Sequence, residues 1–233
     1  MNASVLNDPR IRRGMEQQLA QRRARIAAGE RPLGWKVGFG APAALQKFGL
    51  AAPLVGHLFA GARRDSGASI VLAGWVKPVV EPEIAVHLAH DLDAGADRAT
   101  AQAAIAGLSP AIELADLEFP PEDVERILAA NIYQRAVIVA PCARAGGVDG
   151  VHGRIVRNRQ PFAETRDPQA QTGDLVDIVR HVADTLAACG ERLRAGELII
   201  TGSIVPPLFV AAGESIDYTL EPLGAVGVRL TAG

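Results

Sequence analysis

Glu81 and Glu83 stand one residue apart in the apolar run Val79-Val80-Glu81-Pro82-Glu83-Ile84-Ala85-Val86. In an extended strand, residues two apart share a face, so the two carboxylates project together. Like charges that close are unfavourable unless a cation or a shared proton relieves them. Val79, Val80, Ile84 and Val86 restrict water around the pair. The polar face of an edge strand shows the same spacing, so the pair alone decides nothing. A third acid adds weight: Ser109-Pro110-Ala111-Ile112-Glu113-Leu114-Ala115-Asp116 sets Glu113 in another apolar strand. Three carboxylates converging inside a sheet form a hard oxygen site, suited to Mg²⁺ or Mn²⁺ rather than zinc. His87 and His90 fall on opposite faces of a strand, and His57, His152 and His181 are isolated. A zinc site is therefore not expected.

Lysine is scarce here. Of 24 basic residues only Lys36, Lys47 and Lys77 are lysines, and arginine covers the surface. Lys36 lies in the glycine-flanked stretch Gly34-Trp35-Lys36-Val37-Gly38, where solvation is a poor explanation for it.

Periodicity and punctuation give the elements that must position these groups. Ile11, Met15, Leu19 and Ile26 recur at helical spacing across residues 8–30, ringed by arginines, and Pro32 closes the segment. A basic helix of this kind can meet an acidic partner or a membrane surface, but more often docks one stripe on its own protein. Beyond it the texture changes to short strands broken by glycine and proline, at 34–38, 68–72, 79–88, 111–117, 136–140, 198–201, 215–220 and 226–230, with a hairpin within 153–162. Helices are expected at 42–48, 98–106, 121–130 and 174–193, the last closed by Gly196. The pattern predicts an α+β fold: an N-terminal helical segment, 1–32, and one β-rich catalytic domain, 33–233.

Composition narrows the partners. The chain of 233 residues is 48% hydrophobic with only 4% aromatics, so aliphatic side chains must fill its core. A formal charge of −2 gives no overall pull toward nucleic acid or an anionic membrane. No apolar run is long enough to span a bilayer, and the first residues lack a signal-peptide layout. Cys142 and Cys189 form no ligand motif and read as reduced thiols, which points to the cytoplasm.

The segments Gly34-Trp35-Lys36-Val37-Gly38, Gly56-His57-Leu58, Val80-Glu81-Pro82-Glu83 and Pro110-Ala111-Ile112-Glu113 recur in one known family. Leu193-Arg194-Ala195-Gly196, Thr201-Gly202-Ser203 and Leu223-Gly224-Ala225-Val226-Gly227-Val228 complete the match. In their order and spacing the chain resembles the 2-keto-4-pentenoate hydratase and 4-oxalocrotonate decarboxylase family of the fumarylacetoacetate hydrolase superfamily. The resemblance implies a mixed β-sandwich roll, Mg²⁺ or Mn²⁺ on Glu81, Glu83 and Glu113, and Lys36 in the active site. It also implies a homo-oligomer that acts as a lyase, a hydratase or decarboxylase of a small unsaturated 2-oxo acid from aromatic-compound degradation. A 2-oxo carboxylate chelates a divalent ion, which stabilises the enolate formed at the 2-oxo oxygen. Lys36 then either moves protons or binds the substrate carboxylate. Ser203 and the N–H groups beside it, Gly202 among them, either add hydrogen bonds to substrate or serve only their own turn.

Two departures bear on the reaction. After Pro53 many members carry an acid, an aromatic and glycine, whereas this chain has Leu54-Val55-Gly56. Where the family tends to Asp-Asn-Ala-Ser, the chain reads Ala130-Asn131-Ile132-Tyr133, and only Asn131 is kept. His57 is the nearby group that can substitute for the missing acid. Arg135 either anchors a second substrate carboxylate or is an ordinary exposed arginine. Two other readings remain: a C–C hydrolase of an acylpyruvate, and a non-catalytic member that keeps only the fold.

Overall fold

The computed structural model describes residues 5–143, 147 and 150–233. Helix α1 (Pro9–Ala27) begins where Asp8 caps the Arg10 N–H and Pro9 fills the first turn. Along the chain follow β1 (Pro32–Gly38), α2 (Pro42–Phe48), β2 (Leu54–Phe59), β3 (Arg63–Arg64), β4 (Ala68–Val71), β5 (Pro78–Leu88), α3 (Arg98–Ala104) and β6 (Ile105–Asp116). Next come α4 (Val124–Ala129), β7 (Gln134–Val139), β8 (His152–Arg157), β9 (Gln160–Thr165), α5 (Gln169–Thr172) and α6 (Leu175–Ala188). The last strands are β10 (Leu198–Ser203), β11 (Leu208–Phe209), β12 (Ser215–Glu221) and β13 (Gly224–Thr231).

These strands build two sheets. Eight form the order β2-β1-β10-β5-β6-β7-β3, with β11 added on β5; five form β4-β13-β12-β8-β9. The first and last strands of the larger path, β2 and β3, are joined by the short turn Ala60–Ala62, so that sheet curls into a roll. Its outer face carries Trp35, Val80, Ile84, Val86, Ile112 and Leu114. They pack in one core with Ile216, Tyr218, Leu220, Val226 and Val228 of the smaller sheet and with the buried stripes of α1 and α6. Its inner face holds a second, smaller cluster: Leu58, Ala85, Ala111, Val137, Val139, Leu198 and Ile200. The α+β roll matches the fold expected from the sequence.

Several bounds differ from the sequence reading for local reasons. Helix α6 stops at Ala188 rather than near residue 193, because Gly190 takes φ 73° and Leu193 bridges to Leu92. Strand β6 begins six residues early, at Ile105, directly on leaving α3. Strand β2 was not anticipated; its run of buried residues lacks the alternation that marks a half-exposed strand.

Two prolines lie inside central strands, where a missing N–H is usually costly. The Pro82 carbonyl accepts from the Ile204 N–H at 2.9 Å, so its ring nitrogen faces β10, where the register shifts between Ile200 and Ser203. The Pro110 carbonyl accepts from Ala140, just beyond the end of β7. In both places the ladder is already interrupted, and the missing donor costs little.

Candidate metal and substrate site

Register places the acids. Glu81 sits directly opposite Glu113 across β5 and β6, and Glu83 lies two residues on, opposite Ala111. All three carboxyls therefore point to the inner face of the roll. One oxygen from each lies within 4.8 Å of the others. Glu83 and Glu113 are fully buried and Glu81 is half-buried. Lys36 reaches the same face from β1, since it pairs with Ile200, which in turn pairs with Ala85. Its Nζ donates to Glu113 Oε1 and, at 3.2 Å, to the carbonyl of Ile132, and the residue is only 1% exposed.

The electrostatics are unbalanced. Burial pushes all three carboxyls above the usual range, Glu81 to about 7. Repulsion from Glu113 adds to the rise at Glu81 and Glu83, and Lys36 opposes it. Three carboxylates against one ammonium leave a formal excess of two negative charges, which a divalent cation would cancel. The donor set, all carboxylate oxygen with no imidazole or thiolate among the three, suits a hard ion such as Mg²⁺ or Mn²⁺. The residues thus fit the metal that the sequence leads one to expect.

The remaining sequence candidates separate into those near this face and those away from it. Ser203 pairs with Glu83 in register and stays partly exposed, its hydroxyl 3.4 Å from the Pro82 carbonyl. The Gly202 N–H is not free for a substrate: it donates to Glu83 Oε2 at 2.7 Å, made possible by φ 92° at Gly202. That corrects its expected role, from substrate donor to support for an acid. His57 is also corrected. It pairs with Trp35, so its ring lies on the face opposite Lys36, against Phe59 with 5.1 Å between centroids. Burial, aided by Arg25 and Arg22, lowers its pKa to about 3, so it offers no proton at neutral pH. Arg135 points outward, bonded to Glu118 at 2.8 Å and 3.5 Å from Asp116, and is no anchor at the acid cluster.

Leu54 pairs with Gly38 at the end of β2 and is buried in the main core, so the position where the resemblance leads one to expect an acid is apolar here. His87 shares the inner face but pairs with Ser109 at 2.8 Å. Four residues of strand, about 13 Å, separate it from Glu83. Two features escaped the sequence reading: the Ile132 carbonyl beside Lys36, and Gly56, where a Cβ would come within 2.9 Å of both Lys36 Cγ and Asn131 Oδ1. The only sequence signals were the retained Asn131 and the glycine facing Lys36.

Comparison with known proteins gives relatives of the same family and fold. The model of the fumarylacetoacetate (FAA) hydrolase C-terminal family matches residues 46–231. A 2-hydroxyhexa-2,4-dienoate hydratase from Comamonas testosteroni is 28% identical over 219 residues, covering 90% of this chain and 82% of its own. A 4-oxalocrotonate decarboxylase from a Pseudomonas species is 27% identical, covering 89% and 82%. Among solved structures, 4-oxalocrotonate decarboxylase from Pseudomonas putida G7, complexed with magnesium and adipate, superposes with a TM-score of 0.84 at 25% identity, covering 91% and 83%.

Proposed function

The chain belongs to the fumarylacetoacetate hydrolase family, and from that membership we propose that it is a divalent-metal-dependent lyase of small unsaturated 2-oxo acids, hydratase-like or decarboxylase-like. The observation that carries the reading is the convergence of Glu81, Glu83, Glu113 and Lys36 on one face of the roll, in a chain whose relatives are hydratases and decarboxylases. Mg²⁺ or Mn²⁺ held by the three glutamates would act as a Lewis acid toward the substrate's 2-oxo carboxylate.

The chain's own groups do the rest. Lys36 Nζ holds or passes a proton beside Glu113, and Ser203 offers a hydroxyl next to Glu83. Leu54 supplies no acid–base group at the position where the resemblance implies an acid. That favours loss of CO₂ or tautomerisation, which need mainly an electron sink. It disfavours hydration, which requires placed acid–base groups contributing about 10²–10⁴-fold. We therefore assign decarboxylation of an enedioate or ketonisation as the stronger activity and hydration of 2-hydroxypenta-2,4-dienoate as the weaker. Homo-oligomeric assembly belongs to the same proposal, checked by sedimentation. Steady-state kinetics with Mg²⁺ on the dienoate and on 4-oxalocrotonate test the reaction. Efficient hydration reverses the assignment, and loss of all turnover by wild type on both removes the lyase reading.

A further inference from the structure

Lys36 is held from above by an unusual piece of backbone. Asn131, Ile132 and Tyr133 all adopt left-handed φ, at 52°, 52° and 62°, and none is glycine. For a β-branched residue such as Ile132 that conformation is a real outlier, which persists only where the surroundings impose it. The surroundings here do impose it. Asn131 clamps the His57 peptide with both ends of its amide: Oδ1 accepts from the His57 N–H at 2.8 Å, and Nδ2 donates to its carbonyl at 2.9 Å. At the other end the Tyr133 hydroxyl donates to the Phe119 carbonyl at 3.1 Å. Between these two anchors the Ile132 side chain is buried, 2.9 Å from where a Cβ on Gly38 would lie. The Ile132 carbonyl is thereby aimed at Lys36 Nζ.

We propose that this left-handed turn is a positioning device for Lys36, with Asn131 as its positioning residue. Glu113 alone would leave the amine free to swing about a single partner. A second acceptor from a separate element fixes it in two directions, while the missing side chain at Gly56 leaves room for its stem. The inference rests on the lyase reading where it speaks of turnover, but the placement of Lys36 can be read without it.

The experiment compares wild type with Asn131→Gly and Asn131→Asp. Glycine tolerates positive φ, so the first removes both amide bonds without adding backbone strain; the second keeps an acceptor for the His57 N–H. With only three lysines in the chain, NMR of protein labelled at the lysine ε-carbon resolves Lys36 from Lys47 and Lys77. In Asn131→Gly the Lys36 signal should shift and broaden toward the exposed lysines. Its kcat should fall roughly 10²-fold, the size of an ~1 Å misplacement, while KM and Mg²⁺ affinity stay within about threefold. Asn131→Asp should recover part of both changes. A Lys36 signal that keeps its position and width in Asn131→Gly overturns the proposal, as does an unchanged kcat. If wild type turns over none of the 2-oxo acids, the lyase reading falls and the lysine signal still decides the positioning.

Discussion

Strand β1 has a charge cluster on each of its two sides, one partly exposed and one buried, and they obey different rules. On the outer side, Arg22 bonds to Glu191 at 3.1 Å and lies 3.9 Å from Glu197; Arg23 adds a second bond to Glu191 at 2.9 Å. Glu197 also accepts from Trp35 Nε1 at 3.0 Å and from the Arg194 N–H at 2.9 Å. Two arginines meet two glutamates, so the charges balance, although Arg22 Nε has no hydrogen-bond partner. On the inner side, among the described residues, Lys36 faces three glutamates. A balanced cluster needs nothing more to exist; an unbalanced one in the same small fold fits a divalent cation. Charge balance and depth together distinguish the structural cluster from the functional one.

The contrast is sharpest at the lysine. Lys36→Met should lower kcat by about 10²–10⁴-fold, the usual contribution of a placed acid–base group, while thermal unfolding shows a folded protein. Activity equal to wild type would make Lys36 a packing residue and erase the distinction. Arg22→Met should do the reverse. Breaking a buried pair from one side costs about 3–5 kcal/mol where the partner's charge is left uncompensated; here Arg23 still holds Glu191 and Trp35 Nε1 still holds Glu197, so the loss should fall at the low end of that range. Urea denaturation should show that loss while kcat per folded molecule stays close to wild type.

The metal itself gives the next largest effect. Mg²⁺ at a hundred times its dissociation constant should stabilise wild type by about 2.7 kcal/mol, and Glu83→Gln should lose most of that gain. Calorimetric titration with equal Mg²⁺ affinity in both proteins would show that the acid excess serves something else. The smallest effect belongs to the balanced side, where His57 lies under Arg22 and Arg25 and stays neutral down to about pH 3. Above pH 6.5 neither the folded nor the unfolded state protonates it. Below that, the unfolded chain gains a proton that the folded protein refuses, so stability falls with pH across the window from about 6.5 to 3. At pH 5.5 the loss is about 1.4 kcal/mol for this one group, and His57→Gln should lack it in a comparison of unfolding at pH 7 and 5.5.

The acid cluster was legible because its placement depends on local alternation and on apolar flanks, both of which are written in the sequence. Lys36 was legible because lysine is rare in this chain. What was lost depended on pairing between distant segments. Once β2 is known, His57 falls opposite Trp35 rather than Lys36, but nothing within Leu54–Phe59 announces that register. The Gly202 N–H had to be found already bonded to Glu83 before its availability could be judged. Arg135 needed the positions of Asp116 and Glu118, two acids near it across a strand edge, to be recognised as a surface ion pair. The left-handed turn at Asn131–Tyr133 is the extreme case: its dihedrals contradict local preference and are imposed by Asn131 and Tyr133 reaching distant carbonyls.

Pro82, set between two of the three acids, has a bearing on how the chain finds this structure at all. A polypeptide that collapses quickly can zip β5 against its neighbours in several offsets, and an offset by one would drive Glu81 and Glu83 into the oily layer under the smaller sheet. An offset by two would keep the acids on the correct side and so would be the more insidious error. Proline penalises that error, because residue 82 can meet β10 only where the ladder is broken; elsewhere it confronts an intact carbonyl with no donor. One imino acid thus disfavours those near-miss alignments that would carry residue 82 against an intact stretch of β10, which the hydrophobic pattern alone would accept.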